Sequence, residues 1–224
     1  MRHAGNGNVV ALFDGAASLK YQAIGQVDAY WEALRAGRIM PDRAEVDPRG
    51  LGSALEYTFL LEHVAPGIGR VRISGMHLRD ILGMEVRGMP LTAFFVPDAR
   101  DRISRVLESV VTTPQVADIS IAGERGIGKP VLPARLLLAP LANSGRGSPR
   151  VLACLESRGD IGRAPRRFTI EQVQLRRIVE TKRPDAEVSA KTAEPVEFAE
   201  PKPESYVTPQ PSERPYLRLV RTDG

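Results

Sequence analysis

Between Arg70 and Gly88 the chain reads RVRISGMHLRDILGMEVRG, and its apolar period changes partway. Val71 and Ile73 alternate with Arg72 and Ser74, which marks a strand with one apolar face. Gly75 ends the alternation, and Met76, Leu78, Ile81 and Leu82 then recur at helical spacing over about two turns. Gly83 and Gly88 punctuate the residues after that turn pair, and both suit a positive φ angle. A strand that stops at a glycine and passes into a short helix with glycine-bounded loops makes a lid over a shallow pocket. The remaining chain is then expected to build a sheet beneath that lid.

Residues 1–15, with three glycines and two asparagines, read as a flexible N-terminus. Residues 16–37 read as an amphipathic helix whose stripe is Tyr21, Ile24, Val27, Trp31 and Leu34, stopped by Gly37. The stripe either packs on its own domain or pairs with a partner helix or a second copy. Residues 38–56 form a connector with Pro41 and Pro48, and residues 57–64 and 70–74 form a hairpin around Pro66-Gly67. After residues 91–96 a second amphipathic helix spans about 98–111, with Ile103, Val106, Leu107, Val110 and Val111 on one face and Asp98 as its cap. Strands come next at 115–122, 131–141 and 150–156. Residues 161–181 are expected to end in a basic helix, over about 169–181, carrying Val173, Leu175, Ile178 and Val179.

Two early strands and three late ones, with helices between them, predict an α+β domain over 38–160. It has a five-stranded antiparallel sheet with helices on one face, preceded by the N-terminal helix. Residues 182–224 differ: seven prolines between Pro184 and Pro215 interrupt a tract rich in Glu, Lys, Ala and Ser, which predicts a disordered tail. Tyr216, Leu217, Leu219 and Val220 near its end read either as a docking motif or as a frayed end.

The chain has 224 residues, enough to bury a core without metals or disulfides, and its one cysteine, Cys154, excludes an internal disulfide. The first residues carry no long apolar run, so no secretory leader is expected and the cytoplasm is the expected location. Net charge is +4, concentrated locally at Arg163, Arg166, Arg167, Arg176 and Arg177, a cluster that could meet a nucleic acid or another polyanion. Gly123-Glu-Arg-Gly-Ile-Gly-Lys129 has phosphate-loop spacing, but Pro130 stands where the hydroxyl is needed and strand-like sequence comes after it. A hairpin turn is the expectation. Of His3, His63 and His77 only His77, opening the lid helix, lies near the pocket; a metal site, needing three or four convergent ligands, is not expected.

The order of these elements resembles the PAS domain. Tyr30-Trp31 with Leu34-Arg35 and Gly37-Arg38, Pro41-x-Arg43 with Asp47-Pro48, Phe59-Leu60-Leu61, Arg70 to Gly75, and Leu82-Gly83 with Gly88 after it carry the likeness. Over about residues 28–157 they resemble a bacterial, largely alphaproteobacterial, family of small stand-alone PAS proteins. The resemblance implies a five-stranded PAS sheet and a non-catalytic sensory role exercised through a small ligand, a protein partner of a signalling pathway or self-association, any output lying in another protein. Candidate pocket residues are Phe59, Leu61, Ile73, Met76, His77, Leu78, Ile81, Leu82, Phe94, Leu107, Ile119 and Leu138. Haem is disfavoured, because the helix at 98–111 has no histidine. A cysteinyl flavin is disfavoured, because Cys154 lies on the last expected strand instead of in a short helix ahead of the long one.

Overall fold

The structure is a computed structural model and describes residues 21–143 and 147–180. It begins with helix α1 (Gln22–Arg35), then 3-10 turns at Arg43–Glu45 and Pro48–Tyr57. Strands β1 (Thr58–Ala65) and β2 (Ile68–Ser74) lead into α2 (Met76–Leu82), a 3-10 turn at Leu91–Phe94 and α3 (Pro97–Thr112). Strands β3 (Gln115–Gly123), β4 (Pro133–Leu141), β5 (Arg150–Ser157) and β6 (Phe168–Arg177) complete it. They form one antiparallel sheet in the order β2-β1-β5-β4-β3-β6. The early hairpin joins the late strands through β1 and β5, where Thr58 opposes Cys154 and Glu62 opposes Arg150.

The local signals explain several boundaries. Gly75 opens α2 because a β-carbon there would strike the Glu56 carbonyl, and Gly83 ends α2 at φ 70°. α3 starts one residue earlier than expected: Pro97, not Asp98, opens it after Val96, and Asp98 sits in the first turn, where a carboxylate suits the helix dipole. Gly123 to Lys129 is a hairpin connection, closed by a Gly126–Lys129 bridge and by Lys129 Nζ on the Glu124 carboxylate at 2.5 Å.

One expectation is corrected. The predicted basic helix over 161–181 is replaced by β6, which adds a sixth strand. Between Gln172 and Arg176 the chain alternates polar and apolar residues, and pairing with the free edge of β3 outweighs the helix propensity of Glu, Gln and Leu. The helices between the two groups of strands share one face, as the element order predicts, and a second layer lies on the other face. α2, α3 and the turn at Leu91–Phe94 cover the side bearing Phe59, Leu61, Ile119, Leu136, Leu138, Ala153 and Leu155. α1 and the turn at Pro48–Tyr57 cover the other, bearing Leu60, Val116, Leu137, Ala139, Leu152 and Cys154.

That second layer changes the role of the N-terminal stripe. Tyr21, Ile24, Val27 and Trp31 are buried against the sheet, with Leu34 half-buried at the helix end, so they are not a free surface for a partner helix. Trp31 is fully buried, and its Nε1 donates to the Pro140 carbonyl at 2.9 Å. The amides of Ala23 and Ile24 donate to Glu156 Oε2 at 2.9 and 3.2 Å, so a carboxylate on β5 caps the start of α1, where Tyr21 supplies no side-chain cap. Arg176 on β6 grips the same helix through Asp28, at 2.6 Å, and Glu32.

Two substitutions test this layer. Trp31→Ala should cost about 3–5 kcal/mol in urea unfolding, and the blue-shifted emission of this sole tryptophan should report the transition in the parent chain. Glu156→Ala, which leaves two buried amides without their acceptor, should cost about 1–3 kcal/mol.

Candidate functional site

Nine of the twelve expected pocket residues do come together. Phe59, Leu61, Leu78, Ile81, Leu82, Phe94, Leu107, Ile119 and Leu138 belong to one cluster between the sheet and α2 and α3, none more than 3 % exposed. Phe59 and Phe94 stack at 6.5 Å between ring centres, and Phe95 and Phe168, which the sequence pattern did not single out, are fully buried in the same cluster. These side chains pack on one another.

The other three lie outside that cluster. Ile73 and Met76 are each 62 % exposed. Ile73 opposes Leu60 in the β1–β2 register and so points to the α1 side of the sheet, away from the lid, a turn that the bulge at Arg72 makes possible. His77 stands at the margin of α2, edge-on to Tyr57 at 4.7 Å between ring centres. Its Nε2 lies 3.0 Å from Ser157 Oγ and accepts from the Ser157 amide at 3.3 Å. Burial pushes its imidazole below the ordinary value of 6.5, outweighing the opposite pull of Asp80 and Glu56.

Ile73 belongs instead to an apolar groove of about 70 Å³ on the α1 side, shared with Val46, Pro48, Leu51, Leu55 and Leu60. Leu55 is 44 % exposed on its rim. The carbonyls of Leu55 and Glu56 lie against Gly75, which joins the end of this turn to the end of strand β2. Sequence reasoning missed this groove because residues 48–57 look like a connector; the signal present was the apolar spacing of Leu51, Ala54 and Leu55. A second cleft, of about 320 Å³, lies between Met40, Val111, Leu141 and Arg150 and is more polar.

The arginine cluster does not form one basic face. Arg166 is fully buried. Its Nη1 donates to the Ile161 carbonyl and its Nη2 to the carbonyls of Pro130 at 2.7 Å and Glu124 at 3.1 Å, while its Nε has no partner among the described residues. A guanidinium keeps its charge when buried, so these carbonyl dipoles must carry it. Gly123 makes room for this clamp, since a β-carbon there would come within 2.8 Å of Nη2. Arg176 is engaged with α1, leaving Arg163, Arg167 and Arg177 exposed. Cys154 is buried under α1, on the side of the sheet opposite the lid, and burial raises its thiol well above the ordinary range. The tail motif at residues 216–220 and His3 lie outside the described residues.

The family model for the PAS domain matches residues 19–156. The chain therefore belongs to the PAS domain family, a class of sensory and signalling modules that are generally non-catalytic. The match includes α1 and ends before β6. No curated protein and no solved structure matches the chain. Among the described residues no helix is long and apolar enough to cross a membrane.

Three predictions test this site. Arg166→Ala and Arg166→Lys should each lower stability to urea, the first by about 2–4 kcal/mol, because lysine cannot reproduce the fork that reaches three carbonyls. Native Cys154 should stay unreactive toward a disulfide reagent until the protein unfolds. The depressed imidazole of His77 favours the fold above the unfolded value of 6.5, and that contribution is lost as the pH falls through the lower folded value. Melting temperature should thus drop between neutral and mildly acid pH, and His77→Gln should flatten that part of the profile.

Proposed function

We propose that this chain is a non-catalytic PAS signalling protein that acts by binding a protein partner, and that the groove at Leu51, Leu55, Leu60 and Ile73 receives it. One observation carries this reading. The core residues expected to enclose a ligand close on each other, whereas Leu55 and Ile73 stay open to solvent on the rim of an apolar depression. A partner offering an aliphatic or aromatic anchor gains affinity there by burying that surface. Arg43 at the rim suits an acidic group beside the anchor. Binding could change signalling only by favouring one arrangement of the module over another.

The reading is tested by proximity labelling in the native cell, with Ile73→Glu and Leu55→Glu beside the parent chain. Both positions are exposed, so the melting temperature should change little while the specific partner disappears. An unchanged partner set would contradict the proposal. Native mass spectrometry separates it from the ligand reading. A bare chain mass is expected, and a retained small molecule would shift the function to the interior cluster, which would then have to open around it.

The exposed arginines Arg163, Arg167 and Arg177 leave the alternative of a polyanion surface, supported by the net charge of +4 but weakened by the burial of Arg166 and the pairing of Arg176. It requires steeply salt-dependent binding, which a gel shift at low and moderate salt would read.

A further inference from the structure

Residues 123–131, between β3 and β4, and residues 158–167, between β5 and β6, meet at one end of the sheet. Glu124 donates its amide to the Arg167 carbonyl and Arg163 to the Gly128 carbonyl, each at 2.7 Å, and the buried Arg166 fastens both loops from below. Together the two loops carry six lysines and arginines against two acids. That balance equals the +4 of the entire chain, so the remaining residues are neutral in sum. Arg166 is buried, and Lys129 and Arg158 are paired with Glu124 and Glu156. The side chains of Arg125, Arg163 and Arg167 are exposed and make no hydrogen bond or ion pair among the described residues. Asp160, the other acid of these loops, accepts from the Gly162 amide at 2.9 Å. At the tip stands Ile127, 95 % exposed. The backbone around it is largely paired: Gly126 and Lys129 exchange bonds at 2.9 and 3.4 Å, Gly128 takes φ 72° to close the turn, and its carbonyl receives Arg163.

We infer that this corner docks on an anionic lipid bilayer, with Ile127 entering between the headgroups and Arg125, Arg163 and Arg167 meeting their negative charge. A side chain 95 % exposed touches almost nothing of its own chain, so its occupant must surround it and not merely face it. A bilayer does that without a shaped pocket. Backbone groups carried out of water are costly unless they are hydrogen-bonded, and most of those at this tip already are. The arginines complement anionic headgroups, and their long stems let the charged ends stay at the surface while the tip goes deeper. A soluble polyanion such as a nucleic acid would engage the arginines and gain little from the isoleucine. One aliphatic side chain and three cations give weak, reversible attachment that salt screens. The corner shares no residue with the groove at Leu55 and Ile73, so it stands or falls independently of the proposed partner site.

Co-sedimentation of the full chain with phosphatidylcholine vesicles, with and without phosphatidylglycerol, tests the surface. Binding is expected only with the anionic lipid and should weaken steeply from low to moderate salt. Ile127→Ser should weaken it by roughly tenfold, and Arg163→Gln and Arg167→Gln by about fivefold each. All three positions are exposed, so circular dichroism and melting temperature should match the parent. Ile127→Trp adds a readout of depth, because the native Trp31 is buried away from solvent. Its emission should shift to the blue on anionic vesicles and be quenched by brominated acyl chains. Absence of binding to anionic vesicles at low salt overturns the inference. So does an Ile127→Trp emission that vesicles leave unchanged. Binding that survives Ile127→Ser at full strength also overturns it, and assigns the arginines to a soluble polyanion.

Discussion

Leu136, Leu137, Leu138 and Ala139 follow one another in β4, and each is buried; Leu152, Ala153, Cys154 and Leu155 do the same in β5. Successive strand residues face opposite sides, so these runs demand apolar cover on both faces of the sheet. α2 and α3 supply one cover and α1 with the turn at Pro48–Tyr57 supplies the other. At about 25 cal/mol per Å² of apolar surface removed from water, neither cover could be lifted without a cost comparable to the stability of a small domain. The N-terminal helix is for this reason part of the fold.

Polar groups then fix where the covers sit. Glu156 is buried within β5 and offers its carboxylate to the open amides of α1, so one acidic residue sets the position of the helix start. Trp31 sets the helix depth through Pro140, and Arg176 ties the helix to β6. On the other side Glu108 joins α3 to the first hairpin, accepting from Gly67 at 2.7 Å and meeting His63 at 2.8 Å; these bonds hold its carboxyl below the usual range. Arg166 gathers carbonyls from the loop after β3 and the chain before β6, fastening the entry of the sixth strand. A buried group of this kind destabilises any arrangement that leaves it unsatisfied, which makes it a device for specificity as well as stability.

Much of this was legible in the residues. The alternation in Arg70 to Ser74, the stop at Gly75 and the helical spacing from Ile103 to Val110 located a hairpin, the short helix and the long one, and the element order joined the two groups of strands in one sheet. β6 was not legible as a strand, because Val173, Leu175, Ile178 and Val179 also satisfy a broad helical face, and only the edge of β3 decides between the two. The apolar stripe of α1 was visible, but periodicity alone cannot say which apolar surface a helix meets. The interior residues were largely identified from the resemblance to the PAS family. The placement of Ile73 was not, because a bulge at Arg72 in β2 turns the strand so that the Ile73 side chain joins the opposite layer. Arg166 resembled its exposed neighbours in sequence, and only its loop carbonyls distinguish it.

The direct test of a sheet covered on both faces is native-state hydrogen exchange. If α1 belongs to the fold, the amides of Val27 to Trp31 exchange only through global unfolding, with the same free energy and denaturant dependence as those of β4 and β5. Exchange of α1 at a much lower free energy, while β4 and β5 stay protected, would show the helix to be a detachable arm and contradict the account.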